Sequence, residues 1–473
     1  MPVMDLSIPR RGTMLGMSDL RSASPVRPLR PVGVEFFAGA GGLSLGFEQA
    51  GFDVAAAVEI DPVHCGVHAL NFPHTPVLCR DVRTLSGADV RLAAGLGKRD
   101  IDVVFGGPPC QGFSLQGQRL LDDPRNHLVQ HFLRLALELR PKYVVMENVP
   151  GMASGQHHLL LDELVRGFVA GGYQVRTPHR ILNAAEYGVP QARRRLFLLC
   201  ARDGLPVPAY PDPVTRVRSA ARPGARRGLP ADSAPSGLPD GPGVADAIGD
   251  LPVLEERPEL FSTDVLEGPA GSGAAPASVY ARGLRGEAVD ASDFSFPRRH
   301  DRSRLTGCRR AAHSEASQRR FAATLPGSSD AVSRFLRLDP DGLCNTLRAG
   351  TNTDHGAYTA PRPIHPFVPR CITVREAARL HSFPDWFRFH TTIWHGFRQV
   401  GNAVPPRLGR AVAAEVMAVL GGVPARPLDV LTLGEEAAAW WSTGQAEAAW
   451  GVTKVIAPRT RTPRRAAVQN SGG

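Results

Sequence analysis

The sequence predicts an α/β protein built on a doubly wound, mostly parallel sheet, with a second, smaller and irregular domain in its C-terminal half. Three observations carry this expectation. From about residue 32 to 201, short apolar runs alternate with longer amphipathic ones, the pattern of strands joined by crossover helices. A glycine-rich stretch, FFAGAGG (Phe36–Gly42), follows the first run and opens the first helix, as in Rossmann-like folds that bind ligands at the carboxyl ends of their strands. Near Pro206 the chain turns rich in Pro, Gly, Ala and Ser and loses its periodicity, which marks a separate irregular region.

Taken in order, Val32–Phe37, Val54–Ile60, Val77–Val82, Ile101–Phe105, Tyr143–Met146 and Leu196–Cys200 are apolar runs of strand length. Between them Leu43–Ala50, Asn126–Leu139 and Leu159–Ala170 carry helical spacing. Order is expected to return at Val374–Leu380, a short helix, and at Pro406–Leu420, an amphipathic helix after a GNAVPP turn. The domain boundaries follow: a basic disordered lead over 1–31, a catalytic domain over 32–205, an irregular second domain over 206–392 with a flexible Pro/Gly-rich part, a return to the first domain over 393–422, and a basic extension over 423–473. Met4, Met14 and Met17 offer alternative starts.

The 473-residue chain has a net charge of +10, which favours an anionic partner, nucleic acid first. The cations are almost all arginine, Lys98, Lys142 and Lys454 being the only lysines, and they cluster. Arg298, Arg299, Arg302 and Arg304 open a dense run that reaches Arg320. No apolar run approaches the roughly 18 residues that span a bilayer, so no membrane partner is expected. The seven cysteines include no C-x-x-C pair. Cys65, Cys79 and Cys200 sit in apolar surroundings and read as small buried hydrophobes. His127 and His131 lie one helical turn apart, but without a neighbouring Glu or a third ligand they are not expected to hold metal.

The chemistry sits at strand ends. Glycines in Phe36–Gly42 let the backbone approach a ligand, and Glu59, ending the second strand about twenty residues on, is placed for ribose hydroxyls. Ser44 replaces the third glycine of a dinucleotide fingerprint, so the loop alone leaves a nicotinamide cofactor, S-adenosylmethionine and a non-binding turn open. Asp81 closes the third strand and suits either an exocyclic amine or a turn cap. The fourth strand delivers Cys110 within GGPPCQGFS (Gly106–Ser114), where Pro108 and Pro109 stiffen the backbone ahead of the thiol. Glu147 ends the next strand at the same height. A carboxyl there disfavours the thiolate and makes better sense as a proton-sharing partner for the substrate. In QARRR (Gln191–Arg195), Arg193 and Arg195 alternate and would point the same way, either toward a phosphate or base edge or into solvent.

In order, EFFAGAGGLSLGFEQAGF, VEID, RDV, GGPPCQGFS, ENV, YGVPQARRRLF, ITVREAARLHSFPDWF and QVGNAVPP resemble the DNA (cytosine-5)-methyltransferases, over residues 33–201 and 370–412. Glu35 stands where that family usually has Asp. The resemblance implies a bacterial-type enzyme that transfers a methyl group from S-adenosylmethionine to carbon 5 of a flipped cytosine in duplex DNA, through a covalent Cys110 adduct. It implies Cys110, Glu147, Arg193 and Arg195 as catalytic residues. Phe37, Gly39, Gly41, Gly42, Leu43, Glu59, Ile60, Asp81, Val82, Pro108, Asn402 and Ala403 would hold the cofactor. Gln111, Ser114 and Gln116, in a hinged loop, would meet DNA together with Arg298, Arg299, Arg302 and Arg304 of a target-recognition region. No metal is implied. The protein is expected to be a cytoplasmic, nucleoid-associated monomer, working alone or beside a cognate restriction endonuclease. The same chemistry on transfer RNA and a catalytically silent DNA-binding homologue are the alternatives.

Overall fold

The computed structural model describes residues 30–109, 127–155, 158–218, 237–252, 254–268, 276–350 and 362–453. Residues 1–29 of the N-terminal lead, Cys110, Gln111, Ser114 and Gln116 lie outside the described residues.

The chain from residue 32 to 202 builds one sheet and the helices on its faces. Its strands are β1 (Val32–Phe36), β2 (Asp53–Glu59), β3 (Val77–Cys79), β4 (Val103–Gly106), β5 (Tyr143–Asn148), β6 (Tyr173–Val175), β7 (Arg180–Asn183) and β9 (Arg194–Arg202), while the short β8 (Gln191–Ala192) stands outside the sheet and pairs with Cys344–Asn345. The order is β3-β2-β1-β4-β5-β9-β6, with β7 also on β9. The first five strands run parallel, whereas β9 is antiparallel to β5, β6 and β7. Helices α1 (Gly42–Gln49), α2 (Pro62–Asn71), α3 (Gly87–Ala93), α4 (His127–Leu139) and α5 (His158–Ala170) fill the connections. The fold is the doubly wound α/β sheet that the alternating pattern predicts.

Strands buried on both faces read as continuous apolar runs. Along β5, Val144 and Met146 join a core with α4 and α5, while Tyr143 and Val145 join the core on the opposite face, against α1. On β9, Leu196, Leu198 and Cys200 alternate in the same way with Phe197, Leu199 and Ala201. Glu147 and Arg195 continue the second of these rows, so both side chains leave the sheet on one side.

Among the helices that the sequence reading does not name, three border the sheet or the GNAVPP turn. Helix α2 intersperses His64, Gly66, His68 and Asn71 among Val63, Val67 and Leu70, and Asp61 caps it with Pro62 at its first position. Helix α3 opens on a Ser86–Asp89 capping box. The GNAVPP turn is partly helical: Gly401 and Asn402 end a ten-residue helix, Ile393–Asn402.

Beyond residue 240 come α6 (Val244–Ile248), α7 (Val279–Leu284), α8 (Glu315–Ala323), α9 (Val374–Leu380), α10 (Ile393–Asn402), α11 (Pro406–Leu420) and α12 (Thr443–Trp450). Helices α6, α7, α9 and α10 share a separate core with Phe383, Phe387 and Phe389, which also takes in Leu45 and Phe72 from the sheet region. Helix α11 packs on α1 and closes the second face of the sheet through Leu408, Val412 and Val416. Among the described residues no helix is long and apolar enough to cross a membrane.

The arginine run is not one cationic surface. Arg298, expected to contact DNA, is buried. Its two terminal nitrogens grip the Glu48 carboxylate at 2.9 Å each, Nε donates to the Asn71 carbonyl at 3.2 Å, and the guanidinium lies 4.9 Å from the Trp386 ring. This corrects the sequence reading: a buried arginine with four of its five N–H donors committed to Glu48, Asn71 and the Phe296 carbonyl is not presented to a phosphate. Arg299 and Arg302 are exposed, and Arg304 is half-buried beside Glu267 and Glu436 at 3.1 and 3.5 Å.

Candidate active site

The carboxyl ends of five parallel strands line up along one edge. Phe36 of β1 is in register with Val58 of β2 and Gly106 of β4, Glu59 with Cys79 of β3, and Gly106 with Met146 of β5. One row therefore runs from Asp81 past Glu59 and Phe37 to Pro108 and Glu147. The chain order reverses between β1 and β4, where open α/β sheets form their ligand crevice.

The first half of this row suits a nucleoside-like ligand. Phe37, Gly39 and Gly41 all take positive φ angles of 60°, 55° and 98°. At Gly41 a Cβ would lie 2.3 Å from the Phe72 ring, so only glycine fits, whereas a Cβ at Gly39 would meet nothing within 4 Å. The loop is tight behind and open in front. Glu59 Oε2 accepts from the Gly39 amide and Oε1 from the amides of Ile60 and Asp61, each at 2.9 Å. That uses three of about four acceptor positions of a carboxylate and leaves room for a hydroxyl. Ile60 is 58% exposed, an apolar wall unspent on the core, while Leu43 and Val82 are buried. Gly42 abuts Ala403, whose β-carbon would lie 2.8 Å from a Cβ there, and the neighbouring Asn402 is exposed. Asp81 caps its own turn: Oδ1 accepts from the Arg83 amide at 2.9 Å and Oδ2 from the Arg83 guanidinium. Burial raises its pKa, but these Arg83 bonds outweigh it and hold the carboxyl below its ordinary value.

A buried polar triad underlies the loop. The Ser44 hydroxyl donates to Glu35 Oε2 and lies 3.1 Å from His68 Nε2. Burial raises the Glu35 carboxyl to about 8, against the opposing Ser44 bond, and lowers His68 to about 4. Native Glu35 thus keeps its proton above the pH at which the unfolded chain, with a pKa near the ordinary 4.5, has lost it. Stability must fall as pH rises through that window. Native His68 sheds its proton below the ordinary 6.5, so its contribution rises with pH between about 4 and 6.5. The net loss is concentrated between about pH 6.5 and 8, and is about 2 kcal/mol at 1.36 kcal/mol per pH unit. Glu35→Gln should flatten this slope in denaturant titrations at pH 6.5 and 8. Parallel slopes for the two proteins would contradict it.

The second half of the row holds an ionisable pair, Glu147 and Arg195. Glu147 Oε1 forms a 2.6 Å ion pair with Arg195 Nε, both side chains being nearly buried. Its other oxygen, Oε2, lies where Gly107 cannot carry a side chain: a Cβ would come within 2.7 Å. Asn148 Nδ2, next to Glu147, donates to the Pro108 carbonyl at 3.1 Å, so the turn that leads into residue 110 is pinned to the strand bearing the carboxylate. The six described cysteines, at 65, 79, 200, 308, 344 and 371, are all buried. Burial pushes the thiols of Cys65, Cys200, Cys308 and Cys344 well up, and Cys371 to about 11. None of these is a candidate nucleophile.

Arg193 and Arg195 do not act as a matched pair. Residue 193 falls at the break between β8 and β9, so the period-2 alternation does not hold across it. Arg193 is fully buried, and Nη1 and Nη2 donate to the carbonyls of Leu347 and Gly401 at 2.9 Å each. The reading in which Arg193 holds a nucleotide is corrected accordingly, since its terminal nitrogens already serve the protein backbone. Gln191 was missed in the sequence. It is buried, donates to Leu380 O at 3.3 Å, and its Oε1 accepts from the Leu347 amide at 3.2 Å.

A family model described as C-5 cytosine-specific DNA methylase matches residues 32–418. The type II methyltransferase M.XorII of Xanthomonas oryzae pv. oryzae is 52% identical over 92% of this chain and 96% of its own. The type II methyltransferase M.AgeI of Thalassovita gelatinovora is 33% identical over 81% of this chain and 98% of its own. A crystal structure from E. coli, described as a DNA modification methyltransferase encoded within a prophage, superposes with a TM-score of 0.62 at 32% identity, covering 83% of this chain and all of that one.

Proposed function

The chain belongs to the C-5 cytosine-specific DNA methylase family, and from that premise we propose how its strand-edge row works as a DNA (cytosine-5-)-methyltransferase. The observation that carries the reading is the Glu147–Arg195 pair, mounted one strand from the turn that leads into Cys110.

Carbon 5 of cytosine is too weak a nucleophile to take a methyl group unaided. The Cys110 thiolate adds to carbon 6, and the displaced electron pair makes carbon 5 electron-rich. Glu147 shares a proton with ring nitrogen 3, drawing off the charge that addition places there. Arg195 holds Glu147 through Oε1 and orients the other oxygen toward the base. Carbon 5 then bonds to the methyl carbon as the sulfur–methyl bond breaks, its electron pair staying on sulfur. Loss of the carbon-5 proton returns an electron pair to the ring and expels Cys110 as thiolate. Carbon 6 is shielded inside a stacked duplex, so the cytosine must be flipped out.

S-adenosylmethionine supplies the electrophilic methyl group. The open face at Gly39, the free acceptor capacity of Glu59 and the exposed Ile60 fit its adenosine part. In this proposal Phe37 stacks on the adenine, Glu59 takes the ribose, and Asp81 receives the amine at the edge left free by Arg83. Gly39, Gly41, Gly42, Leu43, Val82, Pro108, Asn402 and Ala403 complete the pocket. The DNA contacts proposed are Gln111, Ser114 and Gln116 with Arg299, Arg302 and Arg304. The type II relatives support a place in DNA restriction-modification, to which we add a cognate endonuclease, monomeric action and a cytoplasmic, nucleoid-associated location. Neither an RNA substrate nor a silent homologue is favoured.

Expression in a methylation-free host followed by bisulfite sequencing tests the reading. Protected cytosines in one recurring sequence are expected. Adenine methylation, or no mark with folded protein present, would overturn it.

A further inference from the structure

Gln191–Ala192 is paired in parallel with Cys344–Asn345, so a stretch from the far side of the irregular region lies against the strand junction that precedes Arg195. The same stretch touches the end of α10. A Cβ on Gly401 would come within 2.5 Å of the Arg348 and Ala349 backbone, so backbone rests directly on backbone there. Arg193 is the only side chain described that bonds both pieces, through the carbonyls of Leu347 and Gly401. Its Nε has no partner among the described residues, and its two acceptors are neutral. A buried guanidinium held by carbonyls alone is costly to keep, and a planar fork is the side chain that can serve two acceptors at fixed angles.

We propose that Arg193 is a positioning residue that clamps the 344–350 segment and the Gly401–Asn402 end of α10 to the strand bearing Arg195, so that the recognition region, the cofactor pocket and Glu147 share one mount. This rests on the function proposed above. Arg193 touches neither base nor donor; it sets where the groups that touch them stand. Displacements near 1 Å at a reacting centre cost about 100-fold in rate.

The test uses the full-length protein and two variants, Arg193→Met, which keeps the bulk, and Arg193→Lys, which keeps the charge but not the fork. Four readouts separate the possibilities: single-turnover methylation, duplex DNA affinity as a function of salt, discrimination against a one-base-altered site, and hydrogen exchange of the amides at 344–350 and 399–403. Both variants are expected to lose about 10- to 100-fold in rate and to discriminate less. Exchange should rise in both segments at once, while the salt slope stays unchanged. A slope lower by about one would mean a lost phosphate contact and would overturn the proposal. So would unchanged exchange in either segment, or a lowered melting temperature with rate and discrimination intact. If Arg193→Met does not fold, Arg193→Lys carries every readout. The exchange result does not need an active enzyme, so a wild-type protein that methylates no cytosine sinks the proposed function and leaves the clamp to be judged separately.

Discussion

Cys110→Ser is expected to lower methylation by on the order of 10⁴-fold or more, while duplex DNA and S-adenosylmethionine still bind. The size follows from the chemistry. Without a bond to carbon 6, carbon 5 has no electron pair to offer, and serine at neutral pH supplies almost no alkoxide to replace the thiolate. Loss of a nucleophile removes a whole route rather than one contact, and 10⁴-fold corresponds to about 5 kcal/mol of barrier. The geometry explains why binding should survive. The residues proposed to hold the cofactor stand mostly just past the carboxyl ends of β1, β2 and β3, at the start of α1 and at the end of α10, and the turn ahead of residue 110 is held by Asn148 through Pro108, not by the thiol. Gel shift on a duplex and calorimetry with S-adenosylmethionine check binding, and tritiated methyl transfer checks turnover. Activity within tenfold of wild type would remove Cys110 from the mechanism.

Glu147→Gln should cost roughly 10²- to 10⁴-fold in turnover, the range of a positioned acid-base group, with cofactor affinity held within about threefold. The amide keeps an oxygen for Arg195 Nε, so the 2.6 Å contact has a neutral substitute and the strand ends stay in place. What is lost is the proton shared with the base. Equal losses in turnover and cofactor affinity would mean that Glu147 shapes the pocket and does not serve the ring.

The central sheet was legible because its strands are buried on both faces and so appear as unbroken apolar runs, as in Tyr143–Met146 and Leu196–Cys200. Helices α2 and α10 were not, because their apolar positions, Val63, Val67 and Leu70 in one and Ile393, Phe397 and Val400 in the other, are few and share the buried face with His68, Asn71 and Gln399. The geometry of the candidate site was legible where it depends on local sequence: glycines forced to positive φ, a Pro-Pro turn, a carboxyl at a strand end. It was misread where the partner is remote. Arg298 looks like a surface cation until Glu48, 250 residues away in the chain, takes it up. Arg193 looks like a twin of Arg195 until the break between β8 and β9 turns it inward.

The central claim is that Cys110 forms a covalent bond to the target cytosine, and trapping tests it most directly. Duplex DNA carrying 5-fluorocytosine at the recognition site is incubated with the protein and S-adenosylmethionine, then analysed by denaturing gel and by mass spectrometry of the digested complex. Fluorine cannot leave carbon 5 as a proton does, so the adduct should persist, carry one added methyl group and map to the peptide containing Cys110, with none formed by Cys110→Ser. Methylation of ordinary cytosine by a protein that forms no adduct with the fluorinated site, or an adduct that maps to another residue, would contradict it.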